Sequence, residues 1–216
     1  MKNLVITVAR GFGSGGKRIA SQVAKDLGIH CYENRILTLA SQMSGVDEEL
    51  FAEVNEKIRG KSFMQSLMNG LPRRRNPEPE NREFVSDEHL FQLQKQIIEE
   101  LADTESCVIV GKCADWILKD RPNVISIYIE APRPYCRKEI MERMGVNEAV
   151  ADRSISNTDK YRADYYAYYT GGNYWTNPVN YDLTLNSERV GFENCVKVIE
   201  EYIGIKYPDF KIGTGK

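Results

Sequence analysis

The hydrophobic pattern of the chain alternates between short apolar runs and longer stretches in which apolar residues recur every three or four positions. The first run covers residues 4–8, and further runs cover residues 29–32, 107–110, 126–129 and 181–185. Continuous apolar runs of this length predict strands that are buried on both faces, and the spaced pattern between them predicts amphipathic helices. The order of these elements predicts an α/β fold, in which helices cover both faces of a parallel sheet.

The spacing of apolar residues marks three of the predicted helices. The first begins in a glycine-rich segment and ends at Gly28, a residue suited to a helix C-cap. The second starts near residue 86, and the third follows the last strand. Their apolar faces carry Ile19, Val23, Ala24 and Leu27, then Leu90, Leu93, Ile97, Ile98 and Leu101, and finally Phe192, Val196, Ile199 and Ile203. Residues 34–58 are also predicted to be helical, whereas residues 60–83, with Arg73–Arg75 and three prolines, predict a mobile basic loop.

The segment between the first strand and the first helix has the composition of a phosphate-binding loop. It has glycines at positions 11, 13, 15 and 16, followed at once by Lys17. Glycines let backbone N–H groups converge on an anion, the helix N-terminus adds partial positive charge, and the lysine can reach terminal phosphates. The spacing matches G-x-x-x-x-G-K-[ST] except at Arg18, where the pattern has a hydroxyl for magnesium. The predicted nucleotide-binding residues are Gly11, Gly13, Ser14, Gly15, Gly16, Lys17 and Arg18.

The same glycines also match G-x-G-x-x-G, the pattern of dinucleotide-binding loops, with Glu33 near the position of the acid that binds a ribose. Two observations favour a nucleoside triphosphate instead. A lysine directly after the last glycine suits a triphosphate better than a pyrophosphate. The residues after Glu33 also predict a long helical stretch, where a dinucleotide fold would have its next strand. A plain glycine turn is the third interpretation, but four glycines in six residues exceed what such a turn needs.

Composition and charge narrow the class of protein. The chain has 216 residues, enough for one domain with an inserted lobe, and its net charge of −2 gives no general affinity for nucleic acid. The sequence predicts neither a signal peptide nor a membrane-spanning segment. The five cysteines are scattered without the spacing of zinc ligands, which indicates buried, reduced thiols. We expect a cytoplasmic protein without a protein-bound metal, a nucleic-acid partner or a membrane partner.

Polar residues follow the predicted strands at the ends where a parallel sheet binds its ligand. Glu33 and Arg35 come after the second strand, and Lys112 and Asp115 come after the third. Each has a plainer interpretation when taken alone, Glu33 as a helix cap and the others as solvated charges. Their shared placement favours a single cleft in which these four residues bind the substrate.

A basic segment from residue 133 to residue 162 is the second feature that indicates phosphate chemistry. Arginines stabilise the negative charge that spreads over a phosphoryl group during its transfer. Arg133, Lys138 and Arg143 are better explained as part of a solvated helix face. Arg153 and Arg162, which flank Asp159, are the two for which we favour a catalytic role. The tyrosines at positions 165, 166, 168 and 169 have helical spacing, which favours packing.

Four segments together resemble the cytidylate kinase-like family, a branch of the P-loop nucleoside monophosphate kinases, along the whole chain. They read RGFGSGG at residues 10–16, CVIVGKCAD at 107–115, DKYRADYY at 159–166 and NYDLTLNS at 180–187. The resemblance implies a three-layer α/β P-loop fold in a single domain of residues 1–216. It also implies a core of about residues 1–33, 106–145 and 179–205, an acceptor-binding lobe of about residues 34–105 and a lid of about residues 146–178.

The resemblance implies an ATP-dependent kinase for a small phosphorylated acceptor, with CMP or dCMP as the expected substrate. Mg²⁺ would bridge the β- and γ-phosphates, and Lys17, Arg153 and Arg162 would be catalytic. Two alternatives stay open, a nucleotide-binding regulator without turnover and a kinase for another phosphorylated or hydroxylated acceptor.

The chain departs from the family pattern at two positions. Cytidylate kinases have an arginine at the position of Lys112, so the bidentate grip on the acceptor phosphate is lost here. Arg18 lacks the hydroxyl that holds magnesium, which leaves Ser14 or water as the ligand.

Overall fold

The computed structural model of the chain describes residues 3–33, 36 and 87–210. The chain divides into two compact units, one made of Met1–Glu33 and Ile98–Lys216 and the other of Asn34–Ile97. The first unit contains the sheet and the glycine-rich loop. The helices predicted in residues 34–58, the basic loop predicted in residues 60–83, and Arg35 lie outside the described residues. The lobe and lid boundaries stay predictions.

Strands and helices alternate along the described chain, as in an α/β protein. The strands are β1 (Val5–Arg10), β2 (His30–Tyr32), β3 (Cys107–Val110), β4 (Val124–Glu130) and β5 (Leu183–Asn186). The helices are α1 (Gly16–Leu27), α2 (Asp87–Thr104), α3 (Ala114–Ile117), α4 (Arg133–Met144), α5 (Glu148–Tyr169), α6 (Ser187–Val190) and α7 (Phe192–Lys206), and a 3₁₀ turn covers Pro178–Asn180.

The five described strands form one parallel sheet in the order β2-β3-β1-β4-β5. Val8 of β1 pairs with Val110 of β3, and Arg10 of β1 pairs with Ile129 of β4, so neighbouring strands end at nearly the same level. The carboxyl ends therefore meet at one edge of the sheet, which is where ligands bind in this class of fold. The predicted α/β fold is confirmed.

The sheet order also decides between the two interpretations of the glycine-rich loop. Among the described strands, β1 lies between β3 and β4. The dinucleotide-binding order places the first strand beside the second. The dinucleotide-binding fold is therefore wrong for this chain.

Buried side chains cover both faces of the sheet. On one face, Ile6 and Val8 of β1 and Ile127 of β4 pack against α1 and α7, whose apolar stripes match the predicted ones. The alternate residues point to the other face, and Val5 and Ile109 among them are fully buried. Burial on both faces explains why these strands are continuous apolar runs rather than alternating ones.

The predicted elements differ from the observed ones at their ends. β4 begins at Val124 instead of residue 126. β5 begins at Leu183 instead of residue 181, because the 3₁₀ turn comes first and Tyr181 donates its hydroxyl hydrogen to the Trp175 carbonyl oxygen over 2.7 Å. Gly28 caps α1 with a φ of 66°, as predicted.

All five cysteines are free thiols, as predicted, and four of them are buried. Burial raises the pKa of the Cys107 and Cys136 thiols to about 12, so both stay protonated at neutral pH. Of the described helices, none has the length and apolar composition needed to cross a bilayer.

Candidate active site

The glycine-rich loop joins the carboxyl end of β1 to the amino end of α1, at the ligand-binding edge of the sheet. Gly15 caps the helix with a φ of 76°, in the left-handed region that favours glycine. Among the described residues, none accepts a hydrogen bond from the backbone N–H of Gly15, Lys17 or Arg18. Such donors at a helix N-terminus, with the dipole behind them, form an anion site.

Two of the glycines are crowded by the protein that surrounds the loop. A side chain at Gly11 would overlap the Glu130 carboxylate at the end of β4. A Cβ atom at Gly13, whose φ is 94°, would lie 2.7 Å from the Cys136 carbonyl oxygen in α4. The missing side chains therefore let the loop approach β4 and α4 as well as a phosphate.

Ser14 is fully buried, and its hydroxyl is used inside the loop. Its Oγ donates to the Gly11 carbonyl over 2.9 Å and accepts from the Gly16 N–H over 3.3 Å. The Ser187 hydroxyl of α6 donates to the Ser14 carbonyl over 2.5 Å. Because the Ser14 hydroxyl holds the loop itself, the structure does not support the hypothesis that it replaces the hydroxyl missing at position 18.

The Arg18 side chain lies against α4 and α7. Its guanidinium is 5.1 Å from the centre of the Phe192 ring and 3.6 Å from the Glu139 carboxylate. Because the Arg18 side chain points to these two helices, the group of Arg18 that is available to an anion at the loop is its backbone N–H.

Three charged side chains meet at the ends of β1 and β2. The Glu33 carboxylate pairs with the Lys17 ammonium through Oε2 and with the Arg10 guanidinium through Oε1, the second contact over 3.2 Å. The side chains of Glu33 and Arg10 are only 16% and 12% exposed, whereas that of Lys17 is 57% exposed. The lysine is therefore held by an ion pair and is still accessible to a ligand.

Arg10 is a site residue that the sequence pattern does not single out. Its guanidinium lies against Gly111, so closely that a side chain at Gly111 would overlap it. Arg10 therefore links the ends of three neighbouring strands, β2, β3 and β1. The one local sign of this role is an arginine at the end of an otherwise apolar strand, directly before the loop.

The turn after β3 has an uncommon backbone. Gly111, Lys112 and Cys113 have successive φ angles of 77°, 63° and 54°. A non-glycine residue held in this region costs roughly 1–3 kcal/mol, and such strain collects at functional sites. The turn places the Lys112 backbone at the same edge as Arg10 and Glu33, in agreement with the prediction from its position after the strand.

Asp115 lies in α3, which follows this turn directly. It is buried, and its carboxylate accepts a hydrogen bond from the Tyr166 hydroxyl of α5 over 2.8 Å. Burial raises the pKa of Asp115 to about 6 in spite of that bond. The residue lines a cavity together with Val124 and Ser126, which lie in the amino-terminal half of β4. The role of Asp115 in substrate binding stays a prediction.

Helix α5, inside the predicted lid region, contacts the loop directly. Asp159 Oδ1 accepts a hydrogen bond from the Phe12 N–H over 2.8 Å, and Arg162 donates to the Arg10 carbonyl oxygen over 2.9 Å. Arg153, the other predicted catalytic arginine, is exposed on the same helix. Arg162 therefore lies at the loop as expected, and it contacts the loop backbone there.

The tyrosines of α5 pack only in part. Tyr166 is buried, which confirms the prediction for that residue, whereas Tyr168 is 73% exposed and contradicts it. Tyr161, Tyr165 and Tyr169 form a row one helical turn apart, with ring centres 5.8 Å and then 4.7 Å from each other.

Glu130 is a second residue at this edge that the sequence pattern does not single out as a site residue. Its carboxylate accepts hydrogen bonds from the Tyr128 hydroxyl over 2.5 Å and from the Ala131 N–H over 2.9 Å. These bonds fix the carboxylate against Gly11, so Glu130 shapes the loop from the side of β4.

Comparison with known families adds to this geometry. The model of the cytidylate kinase-like family matches residues 5–189, from β1 to α6. The chain belongs to the cytidylate kinase-like family. In this family member the predicted α/β P-loop fold is confirmed, and the matched residues include the glycine-rich loop at the end of β1. Among curated proteins, none matches the chain.

Several solved structures resemble this family member over nearly its whole length. An uncharacterized protein from Eubacterium ventriosum is 26% identical with a TM-score of 0.67, and the match covers 93% of this chain and 98% of that one. A shikimate kinase from Bacteroides thetaiotaomicron is 9% identical with a TM-score of 0.48, over 93% of this chain and 98% of that one. A gluconokinase from Sinorhizobium meliloti is 12% identical with a TM-score of 0.44, over 92% and 95%. These two kinases are too distant to identify a substrate.

Proposed function

We propose that the protein transfers the γ-phosphoryl group of ATP to a nucleoside monophosphate, with CMP and dCMP as the first candidates. The observation that carries the proposal is the loop between β1 and α1, where backbone N–H groups at a helix N-terminus lie beside an accessible lysine. Membership of the cytidylate kinase-like family favours a nucleoside monophosphate as the acceptor.

The loop residues fit the phosphates of ATP. The N–H groups of Gly15, Lys17 and Arg18 and the Lys17 ammonium would bind the phosphate oxygens. Mg²⁺ bound to the phosphates would neutralise the charge that develops during transfer. Within the described ranges, no cluster of three or more potential metal ligands occurs. Glu33 is the carboxylate beside Lys17, so it is the residue we expect to contact the water shell of the ion.

The acceptor would bind along the ends of β2 and β3. Arg10 and Lys112 supply positive charge at this edge, and Arg35 joins them in the proposal from its position in the sequence. A phosphate acceptor is already an anion at neutral pH, so its transfer needs orientation and charge stabilisation more than a general base.

A transfer assay with ATP, Mg²⁺ and a panel of nucleoside monophosphates tests the proposal. We expect CMP or dCMP to give the highest kcat/KM in the panel, and ADP formation to depend on the acceptor. ATP binding without transfer to any acceptor would contradict the proposal and would identify a nucleotide-binding regulator. Transfer to hydroxylated acids but to no nucleoside monophosphate would show that the proposed acceptor class is wrong and that the acceptor is a hydroxylated compound.

A kinase for a hydroxylated acceptor is the second candidate, and the position of Glu33 favours it. A hydroxyl loses its proton as its oxygen attacks phosphorus, and a carboxylate at the strand ends is suited to accept that proton. Glu33→Gln separates the two candidates. It should lower transfer to a hydroxyl by about a hundredfold or more, whereas transfer to a phosphate acceptor, which needs no proton removed, should fall much less.

A further inference from the structure

Two hydrogen bonds join side chains of α5 to the backbone of the first residues of the phosphate-binding loop. The Phe12 N–H donates to Asp159 Oδ1 over 2.8 Å, and the Arg10 carbonyl accepts from Arg162 over 2.9 Å. Arg162 also donates to Asp159 Oδ1 over 3.2 Å, so the two side chains act as one unit. Both partners are charged, and hydrogen bonds of this kind are the stronger ones in proteins.

The Phe12 side chain is fastened to the same part of the molecule. Its ring packs against an apolar cluster that the segment of α4 and α5 builds from Ala131, Cys136, Ile140, Ala151 and Ile155. The guanidinium groups of Arg143 and Arg162 lie 5.4 Å and 5.6 Å from the centre of the ring. The α4–α5 segment therefore contacts the loop through both backbone and side chain.

The Asp159–Arg162 pair is partly shielded from solvent, so each charge depends on its protein partners. The two side chains are only 27% and 20% exposed. Burial raises the pKa of the Asp159 carboxyl, and the neighbouring Arg162 opposes that shift. A half-buried carboxylate needs its partners, and the partners here are the loop N–H and the arginine.

We infer that Asp159 and Arg162 are positioning residues, which hold residues 10–13 of the phosphate-binding loop in the conformation that receives phosphate. In this assignment Arg162 works through the loop backbone, and the sequence-based expectation that it acts on the transferring group is replaced. That this positioning strengthens ATP binding rests on the proposed function. That Asp159 and Arg162 restrain the loop does not depend on it.

Hydrogen–deuterium exchange of the loop in the nucleotide-free full chain tests the hold itself. Asp159→Ala and Arg162→Ala should each raise the exchange rate of the Phe12, Ser14 and Gly16 amides, which have acceptors in the structure, about tenfold, since each variant removes a charged hydrogen bond to the loop. Asp159→Asn keeps an oxygen that can accept from the Phe12 N–H, so it should exchange at an intermediate rate. Exchange within twofold of wild type in both alanine variants would overturn the inference.

The matched control lies on the same helix. Lys160 and Asp164 form an exposed ion pair over 2.6 Å that does not involve the loop. The double variant Lys160→Ala, Asp164→Ala should leave loop exchange unchanged, and if it loosens the loop equally, the effect belongs to the helix and the inference fails. Arg162→Lys, which keeps the charge and one donor, gives a folded comparison should an alanine variant not fold.

Nucleotide affinity separates positioning from direct catalysis. If Arg162 holds the loop, Arg162→Ala should raise the Kd of an unreactive ATP analogue about tenfold. If instead kcat falls while that Kd and loop exchange match wild type, Arg162 acts on the transferring group and the inference is overturned. A wild-type protein that binds no ATP would defeat the proposed function alone, because the exchange measurement needs no nucleotide.

Discussion

Glu33 has two cationic partners at the strand ends, the accessible Lys17 and the half-buried Arg10. In the proposed function a nucleotide phosphate would compete with Glu33 for the lysine, so nucleotide binding would rearrange this ion pair. Arg10 lies against Gly111 and would continue to hold Glu33 when the lysine leaves. The pair gives Lys17 a fixed position near the loop before any ligand is present.

Lys17→Ala should lower turnover about a hundredfold or more, because it removes a charge that stabilises the phosphates during transfer. The same variant should also weaken ATP binding. Lys25→Ala is the matched control, since Lys25 is exposed in the last turn of the same helix. Steady-state kinetics and calorimetry measure both effects, and wild-type values for Lys17→Ala would remove the lysine from the site.

Lys112 combines a charge with a left-handed backbone, and substitutions can separate the two. Asparagine tolerates a positive φ, so Lys112→Asn should keep stability within about 0.5 kcal/mol of wild type while raising the KM of an anionic acceptor. Lys112→Arg should lower that KM, since the guanidinium binds phosphate through two bonds. Thermal melts and acceptor kinetics test this pair, with exposed Lys138→Asn on α4 as the control. Equal KM values in all four proteins would show that Lys112 does not touch the acceptor.

At the scale of elements, helix α5 is attached to the core at two levels. Asp159 and Arg162 fasten it to the loop, and one turn later Tyr166 fastens it to Asp115 in α3. The second attachment depends on a buried carboxyl. Tyr166, Tyr181 and Cys113 surround that carboxyl, with Lys112 near the turn.

The raised pKa of Asp115 predicts how stability changes with pH. The native pKa is about 6, above the ordinary value of 3.8, so the native state binds more protons than the unfolded state between these values. The free energy of unfolding contributed by Asp115 is therefore fully present below about pH 4 and is lost as the pH rises through 6, by on the order of 3 kcal/mol.

Asp115→Asn should remove this part of the pH dependence. Its free energy of unfolding relative to that of wild type should therefore be higher at pH 8 than at pH 5. Urea unfolding between pH 4.5 and 8, compared with wild type, measures it. Asp159 also has a raised pKa. Because both proteins contain Asp159, its contribution cancels when the free energy of unfolding of wild type is subtracted from that of the variant at each pH. Asp164→Asn, on the exposed side of α5, should leave the wild-type slope unchanged. A parallel slope in Asp115→Asn would contradict the assignment.

The strands and helix α1 could be predicted because the apolar residues that they bury are visible in the local sequence. Val5, Ile6 and Val108 are apolar residues at positions that the sheet buries, and Gly28 ends α1 through its left-handed backbone. The site was less accessible to sequence reasoning. Arg10 meets Gly111 only because the sheet order puts β1 beside β3, and the partner of Asp115 is Tyr166, 51 residues away in the sequence.

At the scale of the whole molecule, nucleotide binding should raise the melting temperature, since the loop exists only in the native state. An unreactive ATP analogue at a hundred times its Kd should add about 2.7 kcal/mol to the free energy of unfolding. NAD should give little change, because the sheet order is not that of a dinucleotide-binding fold. Differential scanning fluorimetry of wild type and Lys17→Ala tests this. A shift with NAD and none with the ATP analogue would contradict the assignment of the loop.

The crowding of Gly11 by Glu130 and of Gly13 by Cys136 changes what these glycines can tell about ancestry and descent. A descendant of this chain that lost the proposed phosphoryl transfer would still need Gly13, because a Cβ atom there would meet the Cys136 backbone carbonyl of α4. At position 11 the Glu130 side chain would have to move instead. Selection for folding alone would therefore preserve Gly13. Among relatives, an intact glycine pattern is therefore a poor marker of a working enzyme, and drift at Lys17, which the surrounding packing does not require, is the better sign that turnover has been abandoned.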